Sequence, residues 1–140
     1  MSLDRFHTAQ KEIYSSALKE LRAGWKQGHW MWYIFPQLAG LGHSSTARFY
    51  AIHNLDEATA YLADPVLGVR LIECCEALLL HADRSALEML GSPDDLKLRS
   101  CATLFAHVHP THPVFEKILR TFYPAGPDLR TMELLGTPGA

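Results

Sequence analysis

Residues 28–40 read GHWMWYIFPQLAG, and whether this aromatic run is a strand or a helical turn decides the fold class. As a strand it would place His29, Met31, Tyr33 and Phe35 on one face and Trp30, Trp32 and Ile34 on the other. Both faces would then need burial, as in the middle of a sheet. No second segment with a period of two is present to pair with it, and an unpaired strand leaves its backbone donors and acceptors without partners. Pro36 also pushes Phe35 out of helical geometry. The run is therefore expected to be a short helix or tight turn near 29–36, buried all round. Gly24, Gly28, Gly40 and Gly42 supply hinges on either side.

Outward from that run the chain reads as helix after helix. Phe6, Ile13, Tyr14, Ala17 and Leu21 recur at helical spacing over 4–23, and Gly24 is a natural stop. Ser44 or Ser45 can cap a short helix through Ile52, and Asn54 another over 55–63. Asp64 and Pro65 give a capping side chain and a first-turn proline to a helix carrying Val66, Val69, Ile72 and Leu79. A short helix follows over 85–90. In "SPDD" Ser92 is the expected N-cap, Pro93 the first helical residue, and Asp94 and Asp95 place negative charge at the positive end of a helix reaching 107 or 108. Segments 114–122 and 128–135 complete the set. The expected fold is all-α, with six to eight short helices in a single domain over 1–140.

Composition agrees. A chain of 140 residues, 48% hydrophobic and 20% charged, suits one globular domain that buries roughly 70% of its unfolded surface. A formal net charge of −2 offers no footprint for nucleic acid. No apolar run approaches the roughly 20 residues needed to span a bilayer. The start, MSLDRFH, puts Asp4 and Arg5 where a secretory signal would be apolar, which points to the cytoplasm. The three cysteines, two of them adjacent at 74 and 75, read as reduced thiols packed as small hydrophobes. Apolar helix faces leave room for a homodimer.

Several polar residues stand where apolar ones belong. Gln10 occupies the middle of the first helix's apolar stripe, and an unpaired amide there would cost about 1–3 kcal/mol. It needs an internal network, water or a ligand. Lys97 falls on the stripe of Leu98, Cys101, Leu104, Phe105 and Val108, with Ser100 on its flank. Its ammonium snorkels, pairs with a carboxylate, or waits for an anion. Arg48 could clamp a carboxylate or phosphate, or be a surface arginine. Gln37 projects from the turn after Pro36 and could equally be a cap. His29, beside Trp30 and Trp32, is the one credible general acid or base here, against the alternative of a satisfied core histidine.

Other chemistry lacks a signature. HVHPTH gathers His107, His109 and His112, but two prolines break the segment and neither HExxH nor paired CxxC spacing occurs, so a polar helix end is the better reading. Cys74 and Cys75, flanked by Glu73 and Glu76, lie in the wrong surroundings for a nucleophile. There is no Gly-rich phosphate loop, GxSxG elbow or EF-hand loop. No metal and no cofactor are expected.

The strings HWMWYIFPQLAGLG, YLADPVLGVRL and GSPDDLKLRS followed by TLF together resemble the bacterial and fungal family called domain of unknown function 1810, sometimes labelled calpastatin-like. The resemblance covers nearly the whole chain and implies a small, single-domain, all-α protein without an established activity. Calpastatins themselves are long, disordered and repetitive, which this helical pattern is not. The order of elements is also faintly similar to the YbiA-like proteins associated with N-glycosidic cleavage of nucleotide-derived and ADP-ribosyl compounds, a likeness carried by no shared motif.

Three readings follow. In the first, the aromatic run meets Gln10 and Lys97 in a site for a small anionic molecule, nucleotide-like or ADP-ribose-like. There Trp30 and Trp32 stack on a ring, Lys97 and Arg48 answer an anion, and Gln10, Tyr14, His29, Gln37 and Ser100 add polar contacts. In the second, the aromatics form an anchor patch of a protein-interaction module without catalysis. In the third, they only fill the core. Burial separates these readings.

Overall fold

Sequence-local capping shapes most of the elements. The computed structural model describes residues 2–136; Met1 and 137–140 of the expected 1–140 domain lie outside the described residues. It contains ten helices and, among the described residues, no strand. The first two are α1 (Asp4–Gln10) and α2 (Tyr14–Ala23). Expected as one helix over 4–23, this segment is divided because Ile13 N donates to Gln10 O, three residues back rather than four, and tightens the chain. Gly24, left-handed at φ 76°, ends α2 as the sequence indicates.

The aromatic run forms α3 (Met31–Ile34), a single turn that Phe35 leaves in a non-helical conformation, φ −124° and ψ 74°, before Pro36. Next comes α4 (Ser45–Phe49), capped by the Ser44 hydroxyl, which accepts from Ala47 N. It stops short of the expected Ile52 because Ile52 is drawn into an isolated parallel bridge with Leu38. Ile52 N donates to Gln37 O at 2.8 Å and Ala39 N to Ile52 O at 2.7 Å. That bridge ties the segment after α3 to the segment after α4.

Asn54 caps α5 (Leu55–Ala63), accepting from Glu57 N, and Asp64 Oδ1 accepts from Val66 and Leu67 N to open α6 (Leu67–Leu79). A complete capping box of Ser85 and Glu88 opens α7 (Ala86–Leu90). In α8 (Asp94–Ala106) the expected start is displaced: Pro93 is the N-cap and Ser92 makes no cap bond. Asp95 N finds its acceptor in Gly91 O instead. His112 Nδ1 accepts from Val114 N at the start of α9 (Pro113–Phe122), and Asp128 caps α10 (Leu129–Leu135).

Helix α8 is the central element. It packs along α9 and also meets α5, α7 and α10, while α6 lies against α2, α5 and α9. One buried cluster runs through the fold from Phe6 by way of Tyr61 and Phe105 to Phe115, with successive ring centroids 5.0, 5.5 and 5.5 Å apart. All three cysteines are buried in it as free thiols. Burial pushes the Cys74 thiol up to about 12, so it stays protonated. Among the described residues no helix is long and apolar enough to cross a membrane.

Candidate functional site

The aromatic run divides its side chains between two jobs. Trp30 and Phe35 enter the core, Trp30 only 1% exposed, whereas Trp32 and Tyr33 remain half-buried. The loop before α3 is what fixes this choice. Glu20 Oε1 accepts from Gln27 N, Gly28 N and Trp30 Nε1 at 2.7, 2.8 and 3.0 Å, folding residues 27–30 around one carboxylate. Burial alone would raise that carboxyl, but the three N–H donors and the nearby Lys26 ammonium outweigh it and hold the group below its ordinary value. Gly28 must stay bare, since a Cβ there would meet Trp30 Cδ1 at 2.7 Å.

From behind, Gln10 holds the helical turn. Its amide, 1% exposed, donates to Tyr33 O at 2.7 Å and to the Tyr61 hydroxyl at 3.1 Å, and accepts from Arg70 Nη1 at 3.3 Å. Tyr14 belongs to the same side of the molecule, donating to Glu73 Oε1 at 2.7 Å beneath the Arg70 guanidinium. Gln10 thus supports the back of α3.

In front lies an open cleft of about 530 Å³ between α3 and α4. That size falls in the range of small-molecule sites. Its apolar walls are the rings of Trp32, Tyr33, Phe49 and Tyr50. Phe49 and Tyr50 meet edge to face with centroids 4.8 Å apart, and Tyr33 is 5.1 Å from Tyr50. Burial, and secondarily the neighbouring Tyr50 phenol, raises the Tyr33 phenol, which therefore remains a neutral hydrogen-bonding group. Polar groups come from His29, Ser45 and Thr46. Among the described residues, none of the side chains of His29, Tyr33, Ser45, Thr46 and Tyr50 hydrogen-bonds to another residue. No Lys, Arg, Asp or Glu lines the cleft.

A fixed charge stands against its wall. Lys97 Nζ lies 4.6 Å from the centre of the Trp32 ring and contacts Asp94 Oδ1 at 3.2 Å. Asp94 Oδ2 pairs with Lys26 Nζ at 2.9 Å, and Lys26 itself lies 5.1 Å from the centre of the Trp30 ring. Trp30 and Trp32 thus each have a lysine against them, and one carboxylate joins the two lysines.

Of the residues singled out from sequence, only His29 and Trp32 line the cleft, with Lys97 beside it. Gln10, Tyr14 and Trp30 are held in the networks behind it. Gln37 contributes its backbone carbonyl to the bridge with Ile52. Arg48 is exposed on α4 outside the cleft lining, and the Ser100 hydroxyl is turned onto Leu96 O of its own helix. Sequence reasoning passed over Tyr33, Ser45, Thr46, Phe49 and Tyr50. A signal existed: STARFY at 45–50 combines two hydroxyls with an aromatic pair just after the Ser44 cap. Lys26 and Asp94 had no such signal, being far apart in sequence.

A second cleft, of about 480 Å³, lies between α9 and α10 over Leu119, Tyr123, Pro127 and Met132. Of its four polar side chains, His107, Glu116, Arg120 and Tyr123, two are committed. The Tyr123 hydroxyl donates to Asp95 O, and His107 Nδ1 donates to Thr103 O at 2.8 Å. The first cleft, with five uncommitted polar side chains and four aromatic rings on one surface, is the stronger candidate.

Comparison with known proteins places the chain in a family. Over 97% of each chain the structure superposes on the crystal structure of the conserved hypothetical protein Rv1873 from Mycobacterium tuberculosis, with 48% identity and a TM-score of 0.93. No curated protein matches the chain. The family described as protein of unknown function DUF1810 matches residues 1–135. With nearly its whole length matched, the chain belongs to the DUF1810 family.

Proposed function

We propose that the cleft between α3 and α4 binds a small molecule bearing a flat ring, of the nucleotide-like class. A single observation carries this reading: four aromatic rings and five uncommitted imidazole and hydroxyl side chains, two of them on those same rings, share one concave surface. A ring stacked on such walls gains roughly 1–3 kcal/mol per aromatic partner. Hydroxyls and an imidazole both donate and accept, which suits a base edge or a ribose.

The test is titration of a Trp25→Phe protein, in which Trp32 is the solvent-reachable indole, with nucleosides and nucleotides. Binding should change Trp32 fluorescence and raise the melting temperature. Phe49→Ala, at a residue 59% exposed and so of little weight in the fold, should weaken binding about ten-fold. Indifference of both readouts across the panel contradicts the proposal. The exposure of Phe49 also favours a second reading, an anchor for a protein partner. That reading gains if Phe49→Ala abolishes a protein contact and leaves small-molecule binding untouched.

A further inference from the structure

The cleft leaves the charge of its ligand open. Rings meeting edge to face, as Phe49 and Tyr50 do, hold organic cations as readily as flat neutral or anionic groups, because the face of each ring is electron-rich. No lining residue carries a fixed charge, but the Lys97 ammonium lies 4.6 Å from the centre of the Trp32 ring that forms one wall.

Lys97 and Lys26 are not equivalent partners of Asp94. Lys26 is the shorter contact, at 2.9 Å, with a side chain 8% exposed, and it also donates to Gly28 O. Lys97 is the longer, at 3.2 Å, with a side chain 20% exposed. Removing Lys97 would leave Asp94 still paired. Glu20, the other carboxylate near Lys26, is already taken by three N–H groups and does not compete for Lys97.

We propose that Lys97 sets the ligand's charge: it leaves Asp94 for an anionic group, represented by a phosphate, on the ring held in the cleft, while Lys26 keeps Asp94 paired. The inference rests on the ring-binding reading above and deepens it. A lysine suits the task because its ammonium is a compact charge on a flexible four-carbon stem, able to change partners without moving the backbone. The exchange costs little, since no carboxylate is left unpaired and one charge-assisted contact replaces another. An ammonium at the wall also repels a cationic ligand, so an aromatic box that could have been a cation cage becomes selective for anions.

Affinities of adenosine and adenosine 5′-monophosphate for the wild-type protein and for Lys97→Gln, Lys97→Arg, Asp94→Asn and Arg48→Gln test this. The monophosphate should bind wild type about ten-fold more tightly than adenosine. Lys97→Gln should erase that advantage, and Lys97→Arg should retain it. Asp94→Asn should enlarge it, because the internal competitor is gone; a purely structural Lys97 would give no such gain. Arg48→Gln should leave it unchanged. Should Asp94→Asn fail to fold, the two Lys97 variants still decide. Equal binding of the two probes to wild type, or an advantage that survives Lys97→Gln, overturns the assignment of Lys97 and leaves the ring site standing. Binding of neither probe overturns both.

Discussion

Glu57 keeps a charged carboxylate at 1% exposure, and its neighbours explain how. Burial alone would raise it, but hydrogen bonds from Arg5 and the His53 N–H, with the charge of Arg5, outweigh burial and hold it below its ordinary value. A lowered native value means the stabilisation is fully present above the unfolded-state value of about 4.3 and is lost as pH falls through the native one. Denaturant midpoints should therefore drop on acidification in that range. Glu57→Gln should reduce the dependence without removing it, because Asp64 and Glu20 are lowered too. Arg5→Met, which takes the guanidinium from the buried carboxylate and leaves it His53 alone, should cost about 3 kcal/mol; wild-type stability in that variant would contradict the account. Gln10 makes the complementary case. Its position on an apolar stripe was legible, but its partners Tyr33, Tyr61 and Arg70 lie 23, 51 and 60 residues away and no local pattern reveals them. Gln10→Ala should cost about 3 kcal/mol in chemical denaturation, for lost packing and three groups left short of a partner.

At the level of elements, what the sequence made readable was local chemistry. The caps at Asn54, Asp64, Ser85 and Asp128 and the stop at Gly24 act within a few residues of themselves, and the helices they bound lie where expected. What stayed hidden depends on distant contacts. The break between α1 and α2 goes with Gln10 reaching Tyr33 and Tyr61, and the early end of α4 follows from Ile52 pairing with Gln37 and Leu38. Ser92 loses its capping role because Gly91 O takes the Asp95 N–H. One glycine shows how closely the elements approach. A Cβ on Gly68, a buried position of α6, would sit 2.0 Å from Leu62 O of α5, a backbone atom that cannot swing aside. Gly68→Ala should cost at least about 3 kcal/mol, or leave no folded protein. A melting temperature equal to wild type would show that α5 and α6 do not meet in this way.

Across the whole molecule, the candidate site joins segments that sequence order keeps apart: the loop before α3, α3 itself, α4 and the first turns of α8. The aromatic run was legible as helical and as unusual, yet its periodicity could not say that Trp30 belongs to the core and Trp32 to a cleft. Glu20, which folds the loop by gathering three N–H donors, and Asp94, which joins two lysines, make that division. The relative that shares 48% of its residues shares the fold at a TM-score of 0.93, which offers a second chain on which the same variants can be compared. The central claim is that the free face of α3 and α4 is a ligand site, and a two-dimensional amide NMR titration with adenosine 5′-monophosphate tests it most directly. Shifts confined to residues 29–33, 45–50 and 94–97 are the predicted result. No shifts, or shifts gathered instead around His107, Arg120 and Tyr123 at the second cleft, would contradict it.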